Sequence, residues 1–194
     1  MSKHMPHILR RSSASLRRSG GFTMVELIVV IILIGILSAI GAARFFDRSG
    51  YDATTFAEQS RAMLRYAQKL AVAQNRPVYV QGALDGVALC FDAATPCPSS
   101  ALVPAPSGAN SGSAATRARC LAGGAYVQSW YCEGWPRGVS MQPVSGSLAP
   151  FYFNGLGQPG ITGSSSAFGG LKVVIAGGGV SIPIEVSQET GYVN

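Results

Sequence analysis

Residues 22–43 read FTMVELIVVIILIGILSAIGAA, 22 positions whose one charged group, Glu26, stands near the start. At ~1.5 Å per residue such a run extends roughly 33 Å as a helix, against ~30 Å for the hydrocarbon thickness of a bilayer. It is long enough to cross once. A carboxylate inside it costs on the order of 2.5–3.5 kcal/mol at the bilayer centre and less near an interface, so it requires a partner or a purpose. Thr23 and Glu26 also have the spacing of a capping box, and a glutamate in the first turn is favoured by the helix dipole by about 0.3–1 kcal/mol. That second explanation requires a helix beginning near Phe22.

Upstream, residues 1–21 read MSKHMPHILRRSSASLRRSGG, with Lys3, Arg10, Arg11, Arg17 and Arg18, no acid and no apolar run. This is the composition of a leader. A secretory signal places its small-residue cleavage site after the apolar segment, whereas here Gly20-Gly21 precedes it. Cleavage after Gly21 leaves the apolar helix in the product.

The hexapeptide Gly21-Phe22-Thr23-Met24-Val25-Glu26 resembles the class III signal of type IV pilins and type II secretion pseudopilins. The resemblance implies a prepilin peptidase that cuts the Gly21/Phe22 bond and N-methylates Phe22. It places Glu26 on the family's glutamate at the fifth mature position, which pairs with the N-terminal amine of a neighbouring subunit during assembly. That amine is the partner a carboxylate in lipid requires.

The formal charge of +6 is dominated by the leader, which holds 5 of the 15 basic groups and none of the 9 acids, so the mature side chains sum to +1. A global electrostatic argument for nucleic acid ends with processing. The mean hydropathy of +0.26 mostly reflects the apolar run. The basic end stays cytoplasmic by the positive-inside rule, which puts the C-terminal domain across the inner membrane, in the periplasm of a Gram-negative source. Four cysteines, Cys90, Cys97, Cys120 and Cys132, agree with an oxidising compartment. They allow three complete pairings, of which the local one, Cys90 with Cys97 and Cys120 with Cys132, is favoured but not fixed by sequence. No metal or other cofactor is expected: no C-x2-C occurs, His4 and His7 leave with the leader, and no acidic cluster has calcium-loop spacing.

Within the apolar run Gly35, Ser38, Ala39, Gly41, Ala42 and Ala43 are small surfaces on which helices approach closely. Many relatives carry a proline at the position of Ala43. Arg44, Phe45, Phe46, Asp47 and Arg48 mark an interface. Beyond Gly50, Asp52 is placed to cap an amphipathic stretch in which Phe56, Ser60, Met63, Ala67 and Leu70 share a face, and Pro77 ends it. The two stretches are expected to form one long N-terminal helix.

Strand-like runs follow at 78–81, 87–91, 125–131, 138–142, 148–153, 171–176, 180–186 and 191–193, separated by Asp85-Gly86, Asn154-Gly155 and the triple glycine 177–179. Residues 92–124 and 155–170, rich in Gly, Ser and Pro, read as a long surface loop and a flexible stretch. The expected fold is α+β, a long N-terminal helix on an antiparallel β-rich domain. Its parts are a leader 1–21, a transmembrane helix 22–43, an amphipathic continuation 44–76 and a periplasmic domain 77–194 with the loop 92–124.

Residues 151–159 (FYFNGLGQP) and 189–193 (ETGYV) resemble GspH/FimT-type pilins and the minor pilins of mannose-sensitive haemagglutinin (MSHA) pili. Gln158 stands where those relatives often carry arginine. The resemblance implies a minor pilin or pseudopilin whose partners are the prepilin peptidase, other pilin subunits and inner-membrane lipid. Alternatives are a GspH-like pseudopilin of protein secretion and a FimT-like DNA-uptake pilin. For DNA, Arg117, Arg119 and Arg137 beside Trp130, Tyr131 and Trp135 are the candidate patch, and solvated arginines beside core aromatics are the favoured reading. Enzymatic activity is not expected. Without a histidine in the mature chain, Ser-His and Cys-His nucleophile pairs are excluded, and no spacing selects a carboxylate pair from Asp85, Asp92, Glu133, Glu185 and Glu189.

Overall fold

The computed structural model describes residues 21–45, 48–83, 85–146 and 149–194. The leader before Gly21, and the expected interfacial residues Phe46 and Asp47, lie outside the described residues, as do the side chains of 39–45. The chain divides into two units, Met1–Phe45 and Phe46–Asn194.

In the first unit, α1 spans Met24–Phe45. It starts where the sequence places it. The Glu26 backbone N–H donates to Thr23 Oγ1 at 3.2 Å, and the Leu27 N–H to the Thr23 carbonyl at 3.1 Å, so Thr23 is the residue that closes the first turn.

The second unit opens with α2, Ser49–Gln74. Asp52 does not cap it: the helix begins three residues earlier, after Arg48, and Asp52 lies inside the first turn with its N–H bonded to the Arg48 carbonyl. Nor is Pro77 the terminator. Asn75 turns left-handed at φ 46°, and the N–H groups of Asn75 and Arg76 return to the carbonyls of Val72 and Ala71, which closes the helix before the proline is reached. The expected face is the buried one, with Phe56, Ser60, Met63 and Ala67 all inside and Leu70 half-buried.

Ten strands follow in chain order: β1 (Val78–Ala83), β2 (Gly86–Cys90), β3 (Leu121–Ala122), β4 (Ala125–Tyr126), β5 (Cys132–Gly134), β6 (Ser140–Ser145), β7 (Phe151–Phe153), β8 (Pro159–Ile161), β9 (Leu171–Gly177) and β10 (Val180–Val186). A short helix, α3 (Ala114–Arg119), precedes β3. The strands form a five-stranded sheet in the order β5-β2-β1-β7-β8, a three-stranded sheet β10-β9-β6 and the small pair β3-β4, with every pairing antiparallel. α2 lies against both larger sheets, and the core between them is built from Met63, Leu89, Phe153, Ile175 and Ile184. Each such side chain contributes about 1.5–3 kcal/mol through burial. The hairpin at the triple glycine forms as expected, with Gly177 opposite Val180 and both Gly178 and Gly179 at positive φ, the backbone of a tight primed turn.

Three expectations are corrected. The run 125–131 is not one strand. Ala125 and Tyr126 pair with β3, then the chain turns so that the Trp130 indole enters the core and donates to the Leu89 carbonyl at 2.7 Å, and pairing with β2 begins at Cys132–Gly134. The stretch 155–170 supplies β8, whose proline sits at the first position of an edge strand, where no ladder donor is required. Residues 92–124 do not run free over the surface. Leu102 bridges to Cys90 and Pro104 to Trp130, Val103 and Ala105 are buried, and α3 seats Thr116 in the interior.

Candidate functional site

Two regions bear on function: the exposed helix of the first unit, and the way the second unit fixes its C-terminal turns.

Along α1 every large apolar side chain described is open. Phe22 is 82% exposed, Met24 80% and Leu37 68%, and none from Phe22 to Leu37 is below 42%. Apolar surface on all sides, with no element of its own unit to cover it, calls for lipid or other helices around it. Among the residues described with side chains, no helix is long and apolar enough to cross a membrane. Those side chains end at Ser38, about 15 residues and ~22 Å into α1. The spanning argument therefore rests on the sequence of residues 22–43.

Glu26 lies in the first turn, where the helix dipole favours a carboxylate, and has no ion-pair partner among the described residues. The capping role is filled by the Thr23 hydroxyl, which accepts from the Glu26 backbone N–H rather than engaging its carboxylate. Gly21 and Phe22 precede the helix in exposed, non-helical backbone, and a Cβ built on Gly21 meets nothing within 4 Å. The described residues impose no requirement for glycine there. A requirement would have to come from whatever reads the site.

The four cysteines are joined as Cys90–Cys97 and Cys120–Cys132. All four are buried around Trp130 in a second, smaller core. The sequence permitted this pairing among three. For the second pair the fold selects it by packing α3, which Cys120 caps, against β5, which Cys132 opens.

Beside that core stands a carboxylate no spacing pointed to. Glu133 is 2% exposed. It accepts the Ser111 N–H at 2.8 Å, the Ser111 hydroxyl, and the Thr116 hydroxyl at 2.8 Å. Asn110 donates to the carbonyls of Val127 and Trp130 and accepts from the Tyr126 hydroxyl. Together these bonds pin the 110–116 segment to β5. Ser113, which caps α3, and Thr116 three residues on were the available sequence signal.

The candidate basic and aromatic patch is largely taken up by contacts within the fold, while Arg117 and Arg137 stay exposed. Trp130 is in the core, Trp135 packs edge-on to Phe56, Tyr131 meets Tyr66, and Arg119 pairs with Asp85 at 2.8 Å. The two C-terminal stretches, by contrast, are brought together. The Gln68 amide of α2 donates to the carbonyls of Gly157 at 3.0 Å and Thr190 at 2.8 Å, and Arg65 Nε donates to the Val193 carbonyl at 3.1 Å. Gln68 was not legible as a joint, because a glutamine on a helix carries no sign of what it will meet.

Comparison with known proteins finds a short N-terminal motif and two solved structures. Residues 16–42 match the family model of the prokaryotic N-terminal methylation motif, which spans the expected cleavage site and most of the apolar run. No curated protein matches the chain. Among solved structures, two crystal forms of the Pseudomonas aeruginosa (strain PAO1) type IV minor pilin FimU are similar at 17% identity. In space group P21 the match covers 74% of this chain and 87% of that one with a TM-score of 0.44, and in P65 the figures are 73%, 90% and 0.42.

Proposed function

We propose that the chain is a minor type IV pilin, MSHA-like, or a pseudopilin: a structural subunit rather than a catalyst, which enters the inner membrane and assembles through its N-terminal helix. The observation that carries this reading is an apolar helix exposed on every side, opening with one unpaired carboxylate, Glu26, five positions after Gly21. The leader 1–21 would be removed by a prepilin peptidase and Phe22 methylated. Residues 22–43 would cross the membrane and 77–194 would fold in the periplasm, with 44–76 between them, before the subunit passes to a pilus or pseudopilus.

Assembly follows from electrostatics. An incoming subunit whose Glu26 is unpaired in lipid gains by meeting the cationic Phe22 amine of a neighbour, because a charge pair in hydrocarbon replaces a costly isolated charge. That gain exists at one axial stagger, so the pair sets register as well as favouring docking. A GspH-like pseudopilin shares each of these features. The FimT-like reading has less support, since Trp130 is buried, Trp135 and Tyr131 are engaged edge-on with Phe56 and Tyr66, and Arg119 is paired.

The test is intact mass and N-terminal sequencing of membrane-extracted protein, with and without reduction and alkylation. The reading expects a product beginning with N-methylated Phe22 and four cysteines that alkylate only after denaturation and reduction. An uncleaved Met1 start leaves a signal-anchored membrane protein and ends the filament reading.

A further inference from the structure

The triple glycine does more than turn the chain. A Cβ on Gly178 would stand 2.4 Å from the Gly50 backbone nitrogen, and one on Gly177 would stand 2.7 Å from the Ser49 carbonyl oxygen. A Cβ on Gly138 would be 3.0 Å from Ser49 Cβ. The β9–β10 turn and the segment after Arg137 are therefore seated on the first turn of α2.

That contact joins distant parts of the sequence to a short tether. Residues 44–49, which follow the apolar run, extend at most about 22 Å. With residues 22–43 across the membrane, the first turn of α2 stays within that distance of the hydrocarbon edge, and the glycine contacts hold Arg137 and Val180 beside it. The face so placed has interfacial chemistry. Arg48 and Arg137 are exposed and make no ion pair among the described residues. Tyr51 is 77% exposed and Val180 39%. Asp52, which lines one groove with Arg137, is half-buried and offsets one of the two positive charges. At the edge of a bilayer a guanidinium reaches phosphate while aromatic and aliphatic groups lie at the acyl boundary.

We propose that this face rests on the anionic phospholipid headgroups of the periplasmic leaflet while the subunit is held in the inner membrane. Arg48 and Arg137 meet lipid phosphates, and Tyr51 and Val180 lie at the acyl boundary. The proposal rests on the membrane entry set out above. The bilayer is favoured over a neighbouring subunit because the chain itself keeps this face at the membrane, whereas a neighbour arrives only on assembly.

The experiment reconstitutes the full-length chain in vesicles of phosphatidylethanolamine and phosphatidylglycerol, with the photo-crosslinker p-benzoylphenylalanine at Tyr51, at Val180 or at Leu156. Leu156 is 79% exposed and adjoins Gly157, whose Cβ position is 3.1 Å from Val72, ~30 Å along α2 from Tyr51. It reports a face remote from the tether. Mass spectrometry after irradiation measures phospholipid adducts. The expected yields at positions 51 and 180 are at least tenfold above that at 156, and the yield at 180 falls about threefold in Arg137→Glu and persists in Arg137→Lys. Equal yields at 180 and 156 overturn the proposal. So do crosslinks from 180 to a second copy of the chain in place of lipid, and a yield there unchanged by Arg137→Glu. Release of the protein from the vesicles by alkaline carbonate is a separate outcome that overturns the membrane reading itself, and this proposal with it. Lipid adducts at 51 and 180 on a chain that cells leave uncleaved at Met1 support this proposal while ending the filament reading.

Discussion

The backbone of Gly191 lies so close to Gly157 that a Cβ on Gly191 would stand 2.4 Å from the Gly157 carbonyl oxygen. The same atom would be 2.9 Å from the Phe153 ring, and Gly191 has φ 67°. The C-terminal turn and the β7–β8 turn thus meet backbone to backbone, with Gln68 donating to both. Gly191→Ala meets a fixed carbonyl and a disfavoured backbone at once, and should cost about 1–3 kcal/mol. Urea unfolding of the protein in detergent checks this, and a midpoint equal to wild type would show that the two turns separate at little cost.

Glu26→Ala should be cleaved and methylated normally yet enter filaments poorly, since its carboxylate has no ion-pair partner among the described residues. Immunoblots of sheared filaments against whole-cell protein read the ratio. Wild-type incorporation by this variant would remove the charge pair from the assembly mechanism.

Because a Cβ at Gly21 meets nothing within 4 Å, Gly21→Ala should leave the fold intact while the leader is retained. Electrophoretic mobility and N-terminal sequencing report cleavage, and normal maturation would show that the processing site lies elsewhere.

Glu133→Ala leaves the Ser111 N–H without its acceptor and the Ser111 and Thr116 hydroxyls with only one bond between them to share. A loss of about 2–4 kcal/mol is expected. Hydrogen exchange should rise first across residues 110–116. Protection there equal to wild type would mean that the disulfides, not the carboxylate, hold the segment.

Tyr131 gives a pH signature. Its pKa is raised, chiefly by burial and then by Glu133 and Tyr66, so the folded state prefers the neutral phenol. That contribution is fully present below the unfolded value near 10.0 and is lost as pH rises through the folded one. Thermal unfolding followed from pH 9 to 11 should show a fall in wild type that is smaller in Tyr131→Phe. Parallel curves would assign the alkaline loss to other groups.

The sequence by itself determined the start of α1, the buried face of α2, and the hairpin at the triple glycine. In each, the deciding interaction lies within a few residues: Thr23 with Glu26, Phe56 through Ala67 at helical spacing, Gly178 and Gly179 in one turn. It also carried the methylation motif, because that motif is a short linear segment. Only the tertiary structure decided the fate of residues 92–124, the interruption after Tyr126, the cysteine pairing and the joint at Gln68. Those outcomes depend on groups distant along the chain competing for the same space. Trp130 is drawn inward by the Leu89 carbonyl 41 residues away, and Gln68 bonds to Thr190 across 122. Composition registers neither, because a Gly- and Ser-rich segment looks the same whether it is solvated or pinned by a buried glutamate.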